Sequence, residues 1–168
     1  KGRGEKDGVF GIWYGKGPGM DRTMDVFKHA NAAGSSQYGG VLAIAGDDHG
    51  AKSSTLPHQS DHNFMSAFMP YLYPAGVDEI IRYGLLGIEM SRFSGCWTGF
   101  KIVSDVADSG KTYDTSIEQA EILIPSQDFM NEYADLSRNI IYTDTPREQD
   151  FRLQRVKGFA AQDRKSTR

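Results

Sequence analysis

The chain predicts an α/β fold, mainly a parallel sheet with helices on both faces. Three observations carry this: short apolar runs alternate with stretches of helical spacing, one strand-like run is apolar at every position, and no repeat or linker divides the sequence. The continuous run is Val41-Leu42-Ala43-Ile44-Ala45. A strand with one wet face alternates apolar and polar residues, whereas a strand covered on both faces has no position left for a polar side chain.

The elements follow in order. Residues 8–14 are apolar and aromatic, too short for a typical helix, and read as a strand that runs into a loop at Gly15-Lys16-Gly17-Pro18-Gly19. Residues 21–33 read as a helix, after which Gly39-Gly40 opens the strand 41–45, ending near Gly46. The polar stretch 47–62 follows, with a helix disfavoured before Ser60 by Pro57 and the preceding hydroxyl-rich run. A short extended piece, Tyr71-Leu72-Tyr73, lies between Pro70 and Pro74. Val77, Ile80, Ile81, Leu85 and Ile88 then recur at helical spacing, with Asp78 and Glu79 in the first turn, where the helix dipole favours them. Residues 97–103 and 122–124 read as further strands around a loop at 104–116. Thr145-Pro146-Arg147-Glu148 is a capping-box pattern opening a last helix, continued by Leu153, Val156 and Ala160.

At 168 residues, with 39% apolar and 24% charged side chains, one globular domain is the expectation. Nineteen basic against 22 acidic residues leave a formal charge of -3, which attracts neither nucleic acid nor an anionic membrane. No apolar run approaches the roughly 20 residues needed to span a bilayer, and the first residues lack a signal-peptide core, so a cytoplasmic location is expected. The single cysteine, Cys96, excludes an internal disulfide, a cysteine-only zinc site and a self-contained iron–sulfur cluster. The missing initiator Met and the polar run at 162–168 lead us to expect a piece of a longer chain.

The segment 46–62 follows a strand end and holds three of the four histidines. Ligands in parallel sheets gather at such carboxyl ends. Gly46 to Ser53 comes within one residue of a phosphate loop, but Ala51 replaces the second glycine, and Asp47 and Asp48 bring negative charge to the anion's place. The glycines at 15–19 fail the dinucleotide spacing at Met20. Asp47, Asp48, His49, His58, Asp61 and His62 offer the nitrogen and oxygen donors of a metal-dependent hydrolase. Elsewhere plainer roles are expected: an interhelical hydrogen bond for His29, a tight turn around Lys16, burial for Cys96, core packing for the strand aromatics, and a solvated helix face for the seven basic and three acidic residues of 147–168.

Five runs add a resemblance. Gly11-Ile12-Trp13-Tyr14-Gly15-Lys16-Gly17-Pro18-Gly19, Val26-Phe27-Lys28-His29-Ala30-Asn31, Gly46-Asp47-Asp48-His49, Lys52-Ser53-Ser54-Thr55 and Ser91-Arg92-Phe93-Ser94-Gly95-Cys96-Trp97 resemble, in the same order, the fused-type indolepyruvate ferredoxin oxidoreductases of the 2-oxo acid:ferredoxin oxidoreductase family. The similarity extends through Thr143-Asp144-Thr145-Pro146. It implies that 1–145 is part of the amino-terminal thiamine diphosphate-binding (pyrimidine) domain and that 146–168 is a terminal helix starting the connection to the next domain. It also implies oxidative decarboxylation of aryl pyruvates such as indolepyruvate, using thiamine diphosphate with Mg2+, [4Fe-4S] clusters, ferredoxin as electron acceptor and coenzyme A as acyl acceptor. The cofactor carries the hard chemistry in such enzymes.

The glutamate that activates the pyrimidine is expected upstream, while the Gly-Asp-Gly magnesium motif and the cluster cysteines are not in this sequence. The isolated chain is therefore expected to be inactive, with no catalytic residue of its own. Its implied partners are the remaining domains of the parent chain, including the diphosphate-binding domain, then ferredoxin and a second copy in a homo-oligomer. Without an amino-terminal strand and helix, a bare sheet edge and self-association are expected. By analogy with related enzymes the loop after strand 41–45 faces the reacting end of the cofactor, so Asp48, His49, Ser53, Ser54, His58 and Gln59 are the candidate substrate- and cofactor-lining residues. Their hydroxyls, amide and imidazoles suit a carboxylate or a developing enolate oxygen. The alternatives are the metal-dependent hydrolase on 47–62 and a non-catalytic binding domain on the same fold.

Overall fold

Strands β1 (Gly11–Lys16), β2 (Val41–Asp47), β3 (Tyr71–Leu72) and β4 (Thr98–Val103) form one parallel sheet in the order β1-β2-β4-β3. The computed structural model describes residues 10–116, 121–131 and 145–166. Helices α1 (Gly17–Arg22) and α2 (Met24–Ala33) join β1 to β2, α3 (Asp61–Ser66) lies between β2 and β3, and α4 (Val77–Ser94) joins β3 to β4. The short α5 (Ser104–Ala107) and α6 (Gln127–Asn131) precede α7 (Thr145–Ser166).

This order puts helices on both faces. The chain steps from β1 to β2 and on past the place of β4 to β3, then steps back to β4. Right-handed crossovers in opposite directions put their helices on opposite sides of the sheet. Accordingly Ala43 and Ala45 of β2 pack with Met20, Phe27 and Phe64 from α1, α2 and α3. On the other face α4 lies over β2 and β4, with Gly87 so close to Leu42 that a Cβ would stand 2.8 Å from its side chain. Leu86 and Met90 of α4 pack there with Phe159 of α7. Burying a phenylalanine such as Phe27 or Phe64 contributes roughly 1.5–3 kcal/mol.

Several sequence expectations change. The glycine run is not a loop: β1 extends to Lys16 and α1 starts at Gly17, with Pro18 in its first turn, where the fixed φ suits a helix and the missing N–H costs nothing. Gly17 is required because a Cβ there would stand 2.5 Å from the Cβ of His58. The helix expected over 21–33 breaks at Thr23, whose hydroxyl and backbone N–H both bond back to Gly19 and Met20 carbonyls. Residues 122–124 join no ladder; Ile122 packs on the α4–α7 cluster, and apolar runs this short do not by themselves specify a strand. The loop at 104–116 opens with the single turn α5. Helix α4 runs to Ser94, where Gly95 at φ 85 ends it in the left-handed conformation.

The last helix, α7, is described from Thr145 to Ser166, and no described helix is long and apolar enough to cross a membrane. The face of α7 is not simply solvated. Arg155 is buried, donates from Nε to the Phe93 carbonyl and lies 4.1 Å over the Phe93 ring, while Arg152 Nη1 donates to the Asn31 and Ala32 carbonyls at the end of α2. Arginine carries enough apolar stem to be packed while its head caps free carbonyls. Residues 8 and 9 of the first expected strand, the side chains of the capping box, and Thr143 and Asp144 lie outside the described residues.

Candidate functional site at the carboxyl ends of the strands

Asp47, the last residue of β2, and Asp48 just after it are both buried. Asp48 organises the loop that follows. Its Oδ1 accepts the Lys52 N–H at 2.9 Å, and its Oδ2 accepts the Ser53 N–H at 2.8 Å and the Ser53 hydroxyl at 3.1 Å. Its backbone carbonyl accepts the N–H groups of Ala51 and His58, and Ala51 adopts the left-handed conformation at φ 51. The near phosphate-loop pattern thus has a local explanation: the N–H groups of Lys52 and Ser53 are taken by the chain's own carboxylate. Those backbone N–H bonds, from Ser53 first and Lys52 second, hold the Asp48 carboxyl below the usual carboxylate range.

Lys16, at the end of β1, donates to the Ser53 carbonyl at 2.8 Å and the Ser53 hydroxyl at 2.7 Å, and its ammonium lies 3.8 Å from Asp48. Lys52 pairs with Asp105 of α5. These bonds frame a cleft of about 650 Å³, floored by Tyr14, Ile44 and Ile102 and edged by Lys16, Asp48 and Ser53. Tyr14 is 80% exposed over it.

Asp47 belongs to a second, more buried set. Its Oδ2 accepts the Ser60 N–H at 2.8 Å and the Ser60 hydroxyl at 3.0 Å, and lies 3.5 Å from the Lys101 ammonium. Lys101, on β4, is 3% exposed, donates to Asp61 Oδ2 at 2.6 Å and sits 4.7 Å from the centre of the Tyr73 ring. The Tyr71 hydroxyl donates to Asp61 Oδ1 at 2.9 Å. Burial works against the charged forms, but the Lys101–Asp61 bond and charge outweigh it: the Asp61 carboxyl is held below its ordinary value and the Lys101 ammonium above its own. Burial, then the bond to Asp61, pushes the Tyr71 hydroxyl up.

The six residues expected to line a site therefore divide. Asp48 and Ser53 edge the cleft. His49 brings Nε2 to 3.8 Å from Asp47 Oδ2, and His58 packs against Gly17. Ser54 is half-buried and Gln59 exposed, and neither these two nor His49 and His58 line the cleft. Sequence reasoning did not select Tyr14, Lys16, Lys52 or Lys101. The signal for Lys101 was available: a lysine inside an otherwise apolar strand must meet a carboxylate.

Other candidates resolve simply. Among the described residues no three His, Cys, Asp or Glu side chains converge as metal ligands, so the six donors of the hydrolase reading do not form one cluster here. His29 makes no interhelical bond among the described residues; it is an exposed neighbour of Asp25 on the same helix, 3.7 Å away. Cys96 is buried, and desolvation pushes its thiol up to about 11. Trp13 packs edge-on to Phe27 in the core, and Tyr71 stacks on Phe64. No protein-family model, curated protein or solved structure matches this chain.

Proposed function

We propose that this chain forms the substrate side of the thiamine diphosphate site in an indolepyruvate-type 2-oxo acid:ferredoxin oxidoreductase, and is not catalytic alone. One observation carries the reading. Three of the runs that resemble that family, two of them neighbours in one loop and the third about thirty residues earlier, meet in one cleft at the carboxyl ends of a parallel sheet: Tyr14 and Lys16 from the first, Asp48 from the Gly46 run, Lys52 and Ser53 from the Lys52 run.

The cleft fits an aryl 2-oxo acid better than it fits the diphosphate. Tyr14, Ile44 and Ile102 offer an apolar wall for a flat ring. The Lys16 ammonium has three N–H donors, of which Ser53 takes two, and the third is available to a substrate carboxylate. The Ser53 hydroxyl, already held by Lys16 and Asp48, keeps the carboxylate's place defined. The diphosphate with its Mg2+ fits poorly: three of the roughly four acceptor positions of Asp48 are taken by loop donors, and the sequence has no Gly-Asp-Gly run. In this reading those groups, the [4Fe-4S] clusters, the coenzyme A site and the ferredoxin contact belong to other domains.

The test is a titration of the chain with indole-3-pyruvate, followed by the fluorescence of its tryptophans. Saturable binding is expected, weakened roughly tenfold or more by Lys16→Met, since a hydrogen bond to a charged group is worth about 1.5–3 kcal/mol. Indole, which lacks the carboxylate, is expected to bind equally to both proteins. Indole-3-pyruvate binding that ignores Lys16 would overturn the assignment.

A further inference from the structure

Glycine is a poor strand residue: it has no side chain to pack and loses the most backbone freedom on ordering, so inside a sheet it marks a bulge, a bend or a close approach. Gly15 and Gly99 have such a reason. A Cβ at Gly15 would stand 2.6 Å from the Trp13 ring, and one at Gly99 would stand 2.6 Å from the Phe64 ring, so packing excludes a side chain at both. Gly46 has none. It pairs in unbroken register with Lys16 of β1 and Ile102 of β4, its φ is not positive, and a Cβ there would come no closer than 3.9 Å to the Gly15 carbonyl oxygen.

Gly46 lies on an inner strand and is nevertheless exposed, and the space it faces is the cleft. Alternation along β2 puts it on the same face as Ile44, while its register partners bring Lys16 and Ile102 to either side. Neighbouring strands lie about 4.8 Å apart, so β1 and β4 stand roughly 10 Å apart across Gly46. The absent side chain leaves a gap of that width over bare backbone, walled by Tyr14, Ile44 and Ile102, with Lys16 at its side. A flat ring fills such a gap, its face on the peptide plane and its edges against the apolar walls.

We propose that Gly46 is the specificity-determining position of the cleft: its backbone seats the planar aromatic ring of a ligand, and a side chain there would exclude the ring while leaving Lys16 free to meet a carboxylate. That the ring belongs to a 2-oxo acid rests on the reading above; the seat for a ring does not.

The experiment is a titration of the wild-type chain, Gly46→Ala and Gly46→Val with 5-fluoroindole, followed by the fluorine NMR signal of the ligand, beside a thermal melt of each protein. Saturable binding to the wild type is expected, weakened in Gly46→Ala and roughly tenfold or more in Gly46→Val, since a single methylene in an apolar pocket is worth that factor. Both variants are expected to melt at or above the wild-type midpoint, because the added Cβ has open space and valine suits a strand better than glycine. A glycine kept only for the fold would give the reverse, a lower midpoint with unchanged affinity, and would overturn the inference. So would fluoroindole that fails to bind the wild type or binds all three proteins alike; should Gly46→Val not fold, Gly46→Ala decides. Fluoroindole has no carboxylate, so Lys16→Met separates the two claims. Indole-3-pyruvate binding that ignores Lys16, with fluoroindole binding still lost in Gly46→Val, leaves the ring seat standing and overturns only the 2-oxo acid assignment.

Discussion

The two faces of the sheet are finished differently. On the face of α1, α2 and α3, Ala43 and Ala45 are sealed under Met20, Phe27 and Phe64. On the other face α4 covers the middle strands, with α7 packed against α4, and at β1 Ile12 and Tyr14 are 52% and 80% exposed. Both faces are apolar in sequence; they differ in how many helices the connections deliver. The crossover from β1 to β2 brings two helices to the first face, while the single return from β3 to β4 must shield the other with α4 alone until α7 docks on it. The uncovered corner is where the cleft lies.

The sharpest way to break this contrast is to truncate one aromatic on each face. Phe64→Ala removes a fully buried ring and is expected to cost about 3–5 kcal/mol in urea denaturation, against no more than about 0.5 kcal/mol for Tyr14→Ala. Equal losses would mean that the β1 corner is covered. Charges should divide in the same way. Lys101→Met leaves Asp47 and Asp61 without their cation and is expected to cost about 3 kcal/mol, whereas Lys52→Met, which breaks an exposed pair with Asp105, should leave the denaturation midpoint unchanged.

A smaller effect comes from adding volume. A Cβ at Gly99 would meet the Phe64 ring at 2.6 Å and the Tyr71 Cβ at 2.8 Å, so Gly99→Ala should cost about 1–3 kcal/mol. At Gly19, where a Cβ has open space, alanine should be neutral or slightly stabilising, as the shift in thermal midpoint would show.

The smallest is a pH effect. The folded Asp61 carboxyl titrates below its unfolded value of about 3.9, so its contribution is complete above that pH and is lost as acid carries the pH down through the folded value. Acid unfolding followed by circular dichroism should show this component in the wild type and not in Asp61→Asn.

Much of the fold is legible because burial on both faces leaves a mark that spacing alone reveals. Val41-Leu42-Ala43-Ile44-Ala45 could be neither a surface strand nor a full helix, and the structure makes it a central strand. Residues 122–124 carry the same mark without being a strand, since a ladder needs a free neighbouring edge and apolar side chains need only a cavity wall. The loop after β2 is legible as a candidate site by its position. Its internal order was not: Asp48 and Ser53 face the cleft while His58 backs onto Gly17, because the turn is wound around the Asp48 carboxylate, and hydrogen bonds across such short spans leave no periodic trace. The sequence leaves Lys16 between a tight glycine turn and a contact with a phosphate or carboxylate, because its partner, Ser53, lies on another strand's loop.

The strand order also sets a timetable. Strand β4 sits between β2 and β3, yet it is the last of the four to be synthesised. At about 5–20 residues per second, β2 has left the ribosome for several seconds before its inner neighbour exists. During that interval β2 has only β1 beside it, and β3, two residues long, has no strand to join. The nascent chain therefore carries an apolar strand edge until Thr98–Val103 arrives between β2 and β3 and joins them.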